Sequence, residues 1–211
     1  MSGEVRRGQR WTVRAGLAGV FAVMCLLVAF SLLTQNRVAA SAARANAASQ
    51  LSMLHLDARY RVLLEQSLVR KFRLSPDVSV LTERGTAETH LVGDLQQIAA
   101  MGTTPAAKAV VARLLAADGD YDEVGYEIIQ AVLANDNRLV EHLDKTRGEA
   151  AFALIDGIVS REAAAAQSHA DDAASALAKD NASAQRAMVI AYALGLGLIV
   201  LFGLFIVRIS N

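Results

Sequence analysis

Apolar residues in this chain fall into two arrangements. Ala15 to Leu33 and Ala187 to Val207 are continuous apolar runs without a charge, interrupted only by Ser31 in the first and Tyr192 in the second. Each is long enough to cross a hydrocarbon core of roughly 30 Å, which takes about 20 helical residues. A helix apolar on every face over that length belongs in a bilayer. Between the runs, apolar residues recur at helical spacing in a polar background. No stretch alternates with period two or carries a hairpin dipeptide between β-branched runs.

Two prolines divide the intervening segment. Ser75-Pro76-Asp77 and Thr104-Pro105 each place a hydroxyl before proline, which is how a helix start is written. The pattern predicts four helices. The first continues from the apolar run to Leu74, with Leu51, Leu54, Ala58, Val62, Leu68 and Phe72 inward. The second, Pro76 to Met101, turns in Leu81, Leu91, Leu95 and Ile98 and ends at Gly102. The third, from Pro105 to Asn135-Asp136-Asn137, uses Val110, Leu114, Tyr121, Val124, Ile128 and Val132. Asp118-Gly119-Asp120 either breaks or bends it. Asp120 and Glu123 look like a capping box restarting it after Gly119. The fourth, from near Arg138, uses Leu139, Leu143, Phe152, Leu154, Ile155, Ile158 and Val159. Four helices joined by short connections predict an all-α, antiparallel up-down-up-down bundle whose outer helices are continuous with the two membrane spans.

Charge sets the orientation. Arg6, Arg7, Arg10 and Arg14 crowd the first 14 residues against the single acid Glu4, and Trp11 suits an interfacial anchor. The expected order is therefore a cytoplasmic basic tail (1–14), a span (15–33), an extracytoplasmic bundle (34–186), a second span (187–207) and a short cytoplasmic start of a further helix (208–211). Both termini are then cytoplasmic in a bacterial inner membrane. The alternative reading of the first span as a cleaved signal peptide, with Ala40-Ser41-Ala42 as a cleavage site, fits less well because the run exceeds a usual signal core. Val38 to Ser49 and Ala163 to Ala187 are alanine-rich at matching heights. They suggest a closely packed two-helix stalk in which Ala165 and Ala174 are positions where leucine would change the packing.

Composition narrows the chemistry. Twenty-one basic side chains balance 21 acids, which gives no footprint for nucleic acid. The one cysteine, Cys25, lies within a span, so the external segment must be held by packing. His55, His90, His142 and His169 lie at different heights and cannot form a four-ligand metal site. His55 and His90 read as ordinary surface histidines. Asp118-Gly119-Asp120-Tyr121-Asp122-Glu123 begins like a calcium loop, but Glu123 stands where glycine is required and Ile129 where the closing glutamate belongs. Asp171 and Asp172 beside His169 point about 100° apart and read as a polar surface. No catalytic constellation, metal set or cofactor motif is expected. The basic outer part of the first helix offers the one ligand candidate: Arg59, Arg70 and Arg73, whose guanidiniums could fork a carboxylate.

A short basic tail, a span, a four-helix external segment and a second span ending in Arg208-Ile209-Ser210 resemble the input half of bacterial transmembrane receptors. Methyl-accepting chemotaxis proteins, sensor histidine kinases and membrane diguanylate cyclases share this plan. The resemblance implies a homodimer in the bilayer that senses a small-molecule ligand or partner and transmits a displacement of the fourth helix against the first. It also implies that the second span runs into a HAMP relay, whose proline would follow Asn211. The competing expectation is a membrane-anchored structural or adaptor bundle with no ligand.

Overall fold

The computed structural model describes the backbone of residues 3–102 and 104–210, with side chains at 16–102, 104–205 and 207–208. The side chains of Arg6, Arg7, Arg10, Trp11 and Arg14, on which the orientation rests, lie outside the described residues, as do those of Ile209 and Ser210. The protein is all-helical: α1 (Gly3–Leu74), α2 (Val78–Met101), α3 (Pro105–Leu133), α4 (Asn137–Leu143), a π-helical turn (Asp144–Gly148) and α5 (Glu149–Ser210), with no strand among the described residues.

Local chemistry sets the helix starts. Thr104 caps α3 as expected, its Oγ1 accepting from the Ala107 amide at 3.1 Å with Pro105 in the first turn. For α2 the expectation is off by two residues. Asp77, not Ser75, is the cap, and its Oδ1 accepts from the Ser79 amide at 2.9 Å. A carboxylate at a helix N-terminus satisfies an amide and meets the favourable end of the helix dipole, so it prevails over the hydroxyl that precedes it. Asp136 caps α4 in the same way, accepting from Leu139 N at 3.0 Å. Asn135 before it takes φ 57°, a left-handed turn that asparagine tolerates better than most residues.

α3 runs unbroken through Asp118-Gly119-Asp120. Its inward face is buried on both sides of Gly119, and that packing outweighs the roughly 1 kcal/mol that glycine costs in a helix. Asp120 and Glu123 therefore restart nothing, and Glu123 instead lies 3.7 Å from Arg147.

The chain forms two compact units. In Asn46–Asp172, the main core joins Ala58 and Val62 of α1, Leu91 and Leu95 of α2, Leu114 and Tyr121 of α3, and Ile155 and Val159 of α5. Adjoining clusters pack Val69 with Val124, Ile128 and Leu143, and Phe72 with Val80 and Ile129. Leu139 and Leu154, expected inward, are exposed, while their neighbours Val140 and Ile155 are buried. The π turn explains the second shift. Inward positions pass from Leu143 to Gly148, five residues rather than three or four, so the buried face of α5 is re-phased and Arg147 stays outside. His55 is buried, against the surface expectation, because it continues the inward row of Ser52 and Ala58; His90 is exposed.

The second unit comprises Met1–Ala45 with Ala173–Asn211. Its two apolar runs approach through glycine: a methyl added at Gly195 would lie 2.6 Å from Leu27 Cδ1, and one at Gly19 would lie 3.1 Å from Phe202 Cζ. Most other large side chains of the runs are exposed, unlike those of a soluble core helix. Both helices are long and apolar enough to cross a membrane. Outside the runs, the inward positions of this unit are mostly small: Ser41, Ala42 and Ala45 beside Val38 on α1, and Ala173 and Ala184 beside Leu177 on α5. In the other unit Ala163 and Ala166 of α5 are buried. Ala165 and Ala174 are exposed, so leucine there would not enter a helix contact.

Candidate functional site

The π turn borders a cavity of about 50 Å³ in the Asn46–Asp172 unit. Its polar lining comes from Gln66, Arg70 and Arg73 of α1, Tyr121 of α3, Asp144 of the turn and Glu149 of α5. That volume has room for a few waters, well short of the ~300 Å³ of a typical small-molecule site. Arg73 and Asp144 close one wall, with Nη1 donating to Oδ2 at 2.6 Å. Behind another wall, Arg84 of α2 lies against α3 where Gly125 has no side chain: a methyl there would sit 3.3 Å from Arg84 Nη2. The guanidinium pairs with Asp122.

Of the three arginines singled out in the sequence, Arg70 and Arg73 are brought together at this cavity and Arg59 is not; it is exposed elsewhere on α1. Arg73 is already engaged by Asp144, so an incoming carboxylate would have to compete with that pair.

Buried acids that the sequence reading does not place in the core lie close to Tyr121 of the cavity. Tyr121, whose ring packs on Phe152 at 5.9 Å, has its phenol pushed upward by burial and then by the nearby Glu65 carboxyl. Glu65 is fully buried, and neither carboxyl oxygen has a hydrogen-bond partner. Burial first, and the charge of Asp118 second, hold its pKa up to about 8. Asp118, 4% exposed and with Oδ1 unpartnered, is raised to about 6 by burial and by Glu88, against the pull of Arg84. Asp122 is raised too, because burial outweighs its pairing with Arg84. The spacing could have disclosed these acids. Glu65 follows Ala58 and Val62 and precedes Val69 and Phe72 in the inward row, and Asp118 sits between Leu114 and Tyr121.

Among the described residues, no three histidine, cysteine, aspartate or glutamate side chains are placed to hold a metal ion. Two features remain: buried acids held above the usual carboxylate range, and the Arg70 and Arg73 guanidiniums on the lining of the small cavity. No protein-family profile, curated protein or solved structure matches the chain.

Proposed function

We propose that the chain is the signal-input module of a bacterial transmembrane receptor. In this reading an extracytoplasmic ligand or partner acts on the helical unit, and the response crosses the bilayer as a displacement of α5 relative to α1. The observation that carries it is the shared use of two helices. α1 and α5 each contain an apolar run fit to span a membrane, and each also lines the cavity, through Arg70 and Arg73 and through Glu149. A ligand there would act on the two helices that carry the spans.

Several contacts support an antiparallel course for the bundle. Arg73 near the end of α1 meets Asp144, whereas Ser52, earlier in α1, donates to Gln167, later in α5, at 2.9 Å. Lys71 lies 3.7 Å from Glu83 near the start of α2. In this reading the basic tail favours a cytoplasmic side for both termini. Met53, Leu56, Tyr60 and Leu63 form an exposed apolar row on α1 at alternating spacings of three and four, the pattern of a helix seam, which favours a homodimer through α1.

The test is a hybrid receptor in which residues 1–211 precede the relay and kinase of a characterised transmembrane receptor. Arg73→Ala and Asp144→Ala should each shift basal kinase output several-fold, and Arg59→Ala should not. Output indifferent to both cavity substitutions, in protein that reaches the membrane at normal levels, would leave the adaptor reading in its place.

A further inference from the structure

Four carboxyl groups gather around one guanidinium inside the Asn46–Asp172 unit. Glu65 comes from α1, Arg84 and Glu88 from α2, and Asp118 and Asp122 from α3. Tyr121 of α3 and Arg70 of α1 border the layer, and α5 closes it with Phe152 and Ile155. If every acid were ionised, four negative charges would face the single positive charge of Arg84. Arg84 is committed to Asp122, and its own Nε finds no partner.

Glu65 is the least compensated of these groups. It is 0% exposed, and both oxygens lack a hydrogen-bond donor. An ionised carboxylate so placed would carry an unscreened charge beside further acids, whereas the neutral acid carries none. A metal ion is the other way to balance such a layer, but the described residues hold no set of three ligands. The remaining counter-charge is the proton.

We propose that Glu65, together with Asp118 and Asp122, forms a proton-binding site in the core of the helical unit, loaded in the folded chain and emptied on unfolding. The inference stands on this layer alone and does not depend on the receptor reading. Its sign follows from linkage. Glu65 is raised from 4.5 in the unfolded chain to about 8 in the folded one, so between these values the folded chain holds a proton that the unfolded chain has released. The stabilisation is complete below the lower value and is lost as pH rises through the upper one. Glu65 alone adds one proton bound on folding, so its share is about a tenfold fall in the folding constant per pH unit between roughly pH 5.5 and 7.5, and the raised Asp118 and Asp122 add to it in the lower part of that range.

The experiment uses the full chain in lipid nanodiscs. Infrared spectra at pH 6.5 should show the carbonyl stretch of a neutral carboxylic acid, weakened in Glu65→Gln and lost in the native protein above pH 9. Denaturant titrations between pH 5.5 and 7.5 should show a slope that is about tenfold per unit steeper in the native protein than in Glu65→Gln. Should that variant fail to fold, Asp118→Asn serves in its place, with a weakened band and a narrower pH range expected. A missing acid band at pH 6.5, or a band and slope unchanged by the substitution, overturns the proposal. So does recovery of stability at pH 9 on adding magnesium or calcium, which would make the layer a cation site.

Discussion

Arg73 Nη1 donates to Asp144 Oδ2 at 2.6 Å, joining the last turn of α1 to the first residue of the π turn. Both side chains are about one-third exposed. Solvent therefore screens the pair, and its expected value is that of a surface ion pair in good geometry, roughly 1 kcal/mol or less. A double-mutant cycle with Arg73→Ala and Asp144→Ala, read by urea denaturation, should give a coupling energy of about that size. A coupling near zero would mean that the wall of the cavity is not held by this contact.

His55 supplies a pH dependence of opposite sign to that of Glu65. Burial lowers its pKa below 6.5, with Glu162 working in the other direction, so the unfolded chain takes up a proton before the folded one does. Its stabilisation is present above pH 6.5 and declines as pH falls below it. Replacing His55 by leucine should remove that decline, so that stability rises more steeply between pH 6.5 and 5 than it does in the native protein. Parallel curves for the two proteins would show that His55 does not titrate in this range.

The spans should be sensitive to side-chain size at one glycine and indifferent at its neighbour. Gly195 faces Leu27 closely, while Gly197 has open space around it. Gly195→Ile should lower stability in detergent by roughly 1–3 kcal/mol, the usual cost of overpacking, and Gly197→Ile should leave it nearly unchanged. Equal effects at both sites would argue against the glycine contact.

The contrast between Thr104 and Asp77 shows what the sequence could and could not disclose. Thr104 followed by Pro105 is a complete local statement, and the structure keeps it. Ser75-Pro76-Asp77 contains two capable caps, and the choice between them lies with a carboxylate two positions later than the proline rule suggests. The helical rows were equally legible where large apolar residues marked them, as at Val62 and Leu95. Arg59, Arg70 and Arg73 stand out in the sequence because a guanidinium can fork a carboxylate, and of these only Arg70 and Arg73 border the cavity. The burial of Glu65, Asp118 and His55 is not what the residue types suggest, because polar residues are ordinarily assigned to solvent, although each stands on the inward row of its helix. The re-phasing at Asp144–Gly148 could not be read at all. A five-residue step between inward positions depends on which neighbours the turn meets, and no local residue pattern announces it.

That wide turn has a mechanical corollary. An α-helix advances about 100° per residue, so a stretch that absorbs one extra residue sets the angular phase of everything beyond it. Were Asp144–Gly148 to relax to regular α geometry, the C-terminal helix would rotate about its own axis by that angle and carry Ile155 and Val159 out of register with Ala58, Val62, Leu91 and Leu95. The turn thus acts as an angular offset, and the Arg73 contact at its first residue sits where that offset begins.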